Sequence, residues 1–182
     1  VHFIKQETMP PKEQAIVKPM KEAQWVYKQS RFPHLAASLP QPWRVLCSGR
    51  SQAGKTELLR NVVTDFWRGA FEKTYIFSST ARVDSTWKAI IEYCEKHGQD
   101  DSEERFVYED LELDVLNKIM ADRKSMIQRI KANGDTRKLP GILLLIDDQS
   151  HTDTLQRRSQ GEIAKLFTMG RHFGISIWCN VH

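Results

Sequence analysis

An eight-residue pattern early in the chain limits the fold more than any other feature of the sequence. Residues 49–56 read Gly-Arg-Ser-Gln-Ala-Gly-Lys-Thr and match G-x-x-x-x-G-K-[ST] at every defined position. The short apolar run Arg44–Ser48 precedes the pattern and favours a buried strand. Apolar residues at helical spacing follow over residues 56–67. Strand, glycine-bounded loop and helix in this order predict a phosphate-binding loop within an α/β fold.

Each residue type in this pattern suits contact with a nucleotide. Gly49 and Gly54 permit backbone conformations that turn N–H groups toward phosphate oxygens. Lys55 is expected to reach the β- and γ-phosphates, and the Thr56 hydroxyl to ligate Mg²⁺. A chance glycine-rich turn before a helix is the alternative. The predicted nucleotide-binding residues are Gly49, Arg50, Ser51, Gln52, Ala53, Gly54, Lys55, Thr56 and Glu57.

A pair of acids after the most hydrophobic run strengthens the nucleotide interpretation. Residues 142–146 read Ile-Leu-Leu-Leu-Ile and predict a strand at the centre of the sheet. Asp147 then stands where a carboxylate holds Mg²⁺ directly or through a water. Asp148 follows at the position of an acid that orients or deprotonates an attacking water, although it could also be a solvated strand-end carboxylate. Together these residues predict hydrolysis of an NTP.

Prolines divide the chain into two parts. Six of the seven precede residue 43, and proline fixes φ and removes a backbone donor. Residues 1–42 are therefore predicted to be a Pro-rich, basic leader, mostly extended, with at most a short helix over residues 21–29. Residues 43–182 are predicted to form a P-loop ATPase domain that we expect to continue beyond its last residue.

Short apolar runs alternate with amphipathic stretches after residue 43, as in a parallel sheet covered by helices on both faces. Further strands are predicted at residues 74–78, 106–108 and 175–180. Helices are predicted after a cap at Asp84 or Ser85, over residues 113–131, and over residues 160–169. The second of these helices is predicted to turn a basic face outward, formed by Arg123, Lys124, Arg129 and Lys131.

Composition excludes a few classes of protein. The longest apolar run has five residues, far short of the ~20 that cross a bilayer, which predicts an intracellular, soluble protein without membrane contact. Cys47, Cys94 and Cys179 lack the paired spacing of zinc sites, and no metal beyond Mg²⁺ is predicted. The net charge of +4 is compatible with a polyanionic partner but does not require one.

Other classes of P-loop protein find less support. A GTPase carries D-x-x-G and N-K-x-D, whereas Ser150 stands three residues after Asp147, and Val181 follows Asn180. A small-molecule kinase carries an arginine-rich lid, for which the sequence offers only Arg157 and Arg158. These absences favour ATP over GTP, and hydrolysis over transfer to a small molecule.

The last part of the chain carries a family resemblance. Residues 170–182 read Gly-Arg-His-Phe-Gly-Ile-Ser-Ile-Trp-Cys-Asn-Val-His, and Pro42-Trp43-Arg44 precedes the first strand. Together with the acid pair, these segments resemble the poxvirus-type DNA-packaging ATPases of large DNA viruses, members of the FtsK/HerA superfamily. The resemblance extends over about residues 40–182. It implies a RecA-like fold, a homo-oligomeric ring that moves double-stranded DNA, and a location in the virion or at the viral replication site.

The resemblance also implies roles for three residues near the end of the chain. In that family the strand after the Mg²⁺-binding acid ends in a polar sensor, usually glutamine. Here His182 occupies that position and Asn180 lies two residues earlier, so the sequence departs from the pattern. Arg171 is the candidate arginine finger for a neighbouring subunit, or else a helix-end arginine. The basic face of the helix over residues 113–131 likewise has two interpretations, contact with the DNA backbone or exposure to solvent alone.

Two alternatives to a packaging motor stay open at this point. The first is a nucleotide-dependent switch or binding module with negligible turnover. The second is a decayed viral remnant, against which the intact Gly49, Gly54, Lys55, Thr56 and Asp147 argue.

Overall fold

The chain forms an α/β fold around one five-stranded parallel sheet. A computed structural model describes residues 27–133, 139–147, 149 and 160–181. The strands are β1 Arg44–Ser48, β2 Phe71–Ser78, β3 Val107–Tyr108, β4 Gly141–Asp147 and β5 Ile175–Val181. The helices are α1 Pro33–Ser38, α2 Lys55–Asn61, α3 Ser85–Lys96, α4 Leu113–Ala132 and α5 Gln160–Met169. A π-helical turn, Val62–Phe66, continues α2, and a 3-10 turn, Gly170–Phe173, follows α5.

The strand order is β1-β5-β4-β2-β3, with every neighbouring pair parallel. Strand β4 lies in the middle and is buried at all seven positions. A strand that is covered on both faces must be apolar on both, which the run at residues 142–146 satisfies. The prediction of a central strand there is confirmed.

Helices cover both faces of the sheet. On one face Trp178 of β5 packs edge-on against Trp43, which contacts Trp67 at the end of the π-helical turn after α2. On the other face Ile177 lies beside Gly170, in the 3-10 turn after α5. Helix α2 contacts α3, and α4 contacts α5, so each face has its own helix pair.

Several predicted boundaries agree with the structure. Helix α3 begins after Asp84, whose Oδ1 accepts a hydrogen bond from the Thr86 backbone N–H at 2.7 Å, so the predicted cap is confirmed. Helix α4 ends at Ala132, one residue beyond the prediction, and α5 covers the predicted residues. Strand β2 starts three residues earlier than predicted, at Phe71, whereas β3 begins one residue later, at Val107.

The prediction that β1 is a buried strand was wrong. It is an outer strand of the described sheet, with alternately exposed and half-buried side chains, and Leu46 is 65% exposed. An apolar run of five residues indicates a strand, but the pairing order determines whether that strand is covered.

The outward orientation predicted for Arg123 was also wrong. Its side chain is 5% exposed, and Nε donates to the Phe173 carbonyl at 2.9 Å while Nη2 donates to the Pro140 carbonyl. These carbonyls lie just before β5 and β4, so the guanidinium links the N-terminal ends of two neighbouring strands. Arg123 lies four residues after Ile119 and four before Ile127, within the inward stripe of α4. Lys124, Arg129 and Lys131 are exposed, as predicted.

Residues 27–42 pack against the sheet and its helices. Tyr27 contacts Ile127 and Leu139 in a small apolar cluster, and Ser30 Oγ donates to the Phe66 carbonyl at 2.6 Å. Helix α1, with Pro33 in its first turn, was not predicted. Of the short helix predicted over residues 21–29, residues 21–26 lie outside the described part, and residues 27–29 are not helical.

A side-chain amide occupies part of the outer edge of β2. Strand β3 pairs with β2 only at Ile76 and Phe77. One row earlier, Gln99 Oε1 accepts from the Thr74 N–H at 2.9 Å, and Gln99 Nε2 donates to the Thr74 carbonyl at 3.0 Å. The glutamine thus satisfies both peptide groups that a longer β3 would have paired.

No helix among the described residues is long and apolar enough to span a membrane.

Gly174, at the turn into β5, is expected to tolerate no side chain. Its φ is +69°, and a Cβ atom there would lie 2.9 Å from Arg123 Nη2 and 3.0 Å from Leu139 Cδ2. Left-handed backbone costs about 1–2 kcal/mol for an L-residue, and the overlap adds to this. Gly174→Ala should therefore lower the free energy of unfolding by at least about 2 kcal/mol in urea denaturation.

The matched control is Gly161→Ala, in the exposed first turn of α5, where a Cβ meets nothing within 4 Å. Its stability should be unchanged or up to about 1 kcal/mol higher, because alanine favours helix. Equal stability of the two variants would contradict the crowding inferred at Gly174.

Candidate functional site

The predicted site residues meet at the carboxyl ends of the strands. Strands β1 and β2 lead into α2 and α3 on one face, whereas β4 leads toward α5 on the other. The connecting helices therefore switch from one face of the sheet to the other at β4. Ligands of open α/β sheets bind at such switch points. Asp147 ends β4, with Asn180 of β5 in register on one side and Ser78 of β2 on the other. Strand β5 separates β4 from β1, a span of about 10 Å.

The loop between β1 and α2 has a defined backbone path. The Gly49 N–H donates to the Val181 carbonyl at 3.3 Å, which attaches the loop to the end of β5. Gln52 and Gly54 have φ values of +61° and +83°, the left-handed region. Gly49 does not use that region, and a Cβ there would meet only ordinary contacts, the nearest Ala53 Cβ at 3.7 Å. Only Gly54 of the two motif glycines therefore needs glycine's conformational freedom in this conformation.

Lys55 holds its positive charge inside this loop. The side chain is 9% exposed, and Nζ donates to the Gly49 carbonyl at 2.6 Å and to the Arg50 carbonyl at 2.9 Å. The backbone N–H groups of Gly54 and Thr56 have no acceptor within the described part of the chain. A cation with nearby open N–H groups suits a polyanionic ligand.

Asp147 is held by a two-step chain of hydrogen bonds. Its side chain is 7% exposed, and Oδ1 accepts from Asn180 Nδ2 at 2.9 Å. Asn180 Oδ1 in turn accepts from Trp178 Nε1 at 2.7 Å. The structure thus brings together the predicted metal ligand and one of the two predicted sensors.

Three functional candidates were missed by sequence reasoning. Ser78 is buried beside Asp147, and its Oγ lies 3.2 Å from the Thr80 hydroxyl. Gln149 accepts from the Leu111 N–H at 2.8 Å and donates to the Glu109 carbonyl at 3.0 Å, which fixes the chain just after β4. The third is Trp178. A polar residue at the end of an apolar strand was an available signal for Ser78, and one within two residues of a strand end for Gln149, but no signal pointed to Trp178.

Cys179 precedes Asn180 on β5 and is half-buried. Burial, and then the negative charge of Asp147, raise the pKa of Cys179 to about 11. The thiol therefore stays protonated at neutral pH. Cys94, on α3, is buried too, and desolvation raises its pKa to about 12.

The remaining predicted residues are placed as follows. Residues 50–53 are exposed along the loop, and Thr56 is half-buried at the first turn of α2. Glu57 pairs with Arg60 on the helix surface, and this hydrogen bond lowers the pKa of Glu57. Arg171 is exposed before the start of β5, the end away from the loop, and its Nε donates to His172 Nε2 at 3.3 Å. Asp148 and His182 lie outside the described residues.

The donor set fits Mg²⁺ better than a transition metal. Thr56 and Asp147 offer a hydroxyl and a carboxylate at one edge of the sheet, and Mg²⁺ prefers oxygen ligands completed by water and phosphate. The described residues contain no group of three or more His, Cys, Asp or Glu side chains that could hold a metal ion.

A scan against protein-family models and a search of curated proteins each found no match to the chain.

The two motif glycines should differ in their tolerance of alanine. Gly54→Ala places an L-residue at φ +83° and should lower the free energy of unfolding by about 1–2 kcal/mol. Gly49→Ala should change it by less than about 0.5 kcal/mol, because no left-handed backbone or overlap is involved. Urea denaturation without nucleotide measures both, and a larger loss for Gly49→Ala would show that the loop has another conformation.

Proposed function

We propose that the chain is a P-loop NTPase with a RecA-like fold that binds ATP with Mg²⁺ at residues 49–56 and hydrolyses it. One observation carries the proposal. The Lys55 ammonium lies inside the glycine-bounded loop at the same sheet edge as the buried Asp147 carboxylate, and β5 holds the two in a fixed relation. A cation for phosphates and a carboxylate for the metal are the two charges that an NTP·Mg²⁺ site requires.

The chain's own residues supply binding and charge. Lys55 exchanges its bonds to the Gly49 and Arg50 carbonyls for phosphate oxygens. Thr56 and Asp147 would hold Mg²⁺, which when bound would neutralise charge on the transferred phosphoryl group. Asp148 is proposed to position the attacking water. An aspartate is one methylene shorter than glutamate, so it requires a close or relayed water.

Lys55→Ala is expected to abolish phosphate release from ATP, because it removes the ammonium group that contacts the Gly49 and Arg50 carbonyls inside the loop. Lys88→Ala is the matched control. Lys88 is an exposed lysine of α3 whose ammonium lies 4.0 Å from Glu92, and its loss should leave the rate unchanged. Normal turnover by Lys55→Ala would contradict the site.

A second candidate function is a nucleotide-dependent switch with negligible turnover. It is favoured by the orientation of Asn180, because both polar ends of its amide are bonded within the protein, to Trp178 and to Asp147. In this conformation the amide contacts other side chains, as a core residue does, and does not act as a γ-phosphate sensor.

Asp148→Asn distinguishes hydrolysis from switching. If Asp148 positions water, the variant should keep nucleotide affinity and lose at least about 100-fold in phosphate release, the low end for general-base catalysis. The switch interpretation predicts a wild-type rate near background and no effect of the substitution. Equilibrium binding of a fluorescent ATP analogue, measured beside phosphate release, separates the two.

Movement of double-stranded DNA by a homo-oligomeric ring, as in viral packaging ATPases, is proposed on the sequence resemblance alone. Burial of Arg123 reduces the basic face of α4 to Lys124, Arg129 and Lys131. The same phosphate-release assay with linear double-stranded DNA addresses the motor. Stimulation that Lys55→Ala removes supports it, and a rate indifferent to DNA favours the switch.

A further inference from the structure

We infer that Trp178 is a positioning residue for the metal-binding carboxylate and acts through Asn180. The inference rests on the proposed function, because it gives Asp147 the role of Mg²⁺ ligand. It concerns the hydrogen-bonded row Trp178, Asn180 and Asp147, which runs from the aromatic core to the sheet edge. All three side chains are at least nine-tenths buried.

The chemistry of the indole ring determines the direction of this row. Trp178 Nε1–H can only donate, so the atom of Asn180 that faces it at 2.7 Å must be the carbonyl oxygen. The amide nitrogen of Asn180 is then turned toward Asp147, where Oδ1 accepts at 2.9 Å. An ionised carboxylate accepts only, so this orientation suits a metal-binding Asp147. Without the indole donor, the Asn180 carbonyl oxygen loses this hydrogen bond, and the amide is held only by its contact with Asp147.

The indole ring is itself held rigidly. Its centroid lies 6.2 Å from that of Trp43 at an interplanar angle of 81°, and Trp43 packs at 5.6 Å against Trp67. Edge-to-face contacts of this kind fix ring orientation. Trp67 follows directly on the helical segment that begins with Lys55 and Thr56. The same aromatic cluster therefore supports both sides of the proposed site.

Groups behind metal ligands typically change metal affinity 10- to 100-fold when they are mutated, because they fix ligand orientation. Trp178→Phe keeps an aromatic ring in the core and deletes only the donor and part of the ring. It should raise the Mg²⁺ midpoint, the Mg²⁺ concentration at which nucleotide binding is half-maximal, about 10-fold, the low end of that range.

The chain offers a matched control in the same cluster. Trp43 is also buried, but its Nε1 has no hydrogen-bond partner within the described residues. Trp43→Phe therefore makes the same change of ring without removing a hydrogen bond. Both variants should lose similar stability in urea, whereas Trp178→Phe should shift the Mg²⁺ midpoint further than Trp43→Phe does. Binding of a fluorescent ATP analogue over a Mg²⁺ titration measures that midpoint without reference to turnover.

A double-mutant cycle tests whether Trp178 acts through Asn180. Asn180→Ala should shift the Mg²⁺ midpoint at least as far as Trp178→Phe, and adding Trp178→Phe to it should cause no further shift. In NMR spectra the Trp178 indole N–H signal, assigned by its loss in Trp178→Phe, should move when Mg²⁺ and nucleotide are added. The Trp87 indole, buried in α3 without a described acceptor, should not move.

Different results would overturn the role of Trp178 and the proposed function. If the wild-type chain binds nucleotide with a Mg²⁺ dependence and Trp178→Phe shifts its midpoint no more than Trp43→Phe, the role of Trp178 is overturned and the proposed function stands. Additive effects in the cycle would equally overturn action through Asn180. If the wild type shows no Mg²⁺-dependent nucleotide binding, both are overturned.

Discussion

The pairing of β4 with β5 and β2 is the constraint on which the rest of the structure depends. Parallel register places Asp147 beside Asn180 on one side and Ser78 on the other, so three strand ends contribute polar groups to one row. Six of the seven side chains of β4 are buried apolar residues or glycine, which leaves Asp147 as its single charged group. A carboxylate on a strand that is buried along its whole length would need little further ordering on binding a ligand.

The features that could be predicted from sequence are local ones. The run at residues 142–146 indicates a central strand because burial on both faces requires apolar residues at every position. The cap at Asp84 and the approximate end of α4 were predictable because the signals for helix ends lie within a few positions of the end. The order of strand, loop and helix over residues 44–61 belongs to the same class, since it was predicted from neighbouring residues.

The features that sequence reasoning missed depend on contacts distant in the chain. Nothing near Arg44–Ser48 shows that this strand lies outside β5 in the sheet. The buried Arg123 was taken as a surface charge, although its spacing matches the apolar stripe, because its acceptors at Phe173 and Pro140 are 50 and 17 residues away. Trp178 reads as an ordinary core residue, and only the packed strand shows that its N–H is directed at Asn180.

Gln99 illustrates how one side chain can limit the size of a sheet. Its amide occupies the peptide groups of Thr74, where a longer β3 or a foreign strand would otherwise pair. A side-chain amide offers no second row of N–H and carbonyl groups, so a strand arriving from outside finds nothing to extend there. Resistance to strand exchange and fibrous self-association at this edge is thus concentrated in a single residue of the loop after α3.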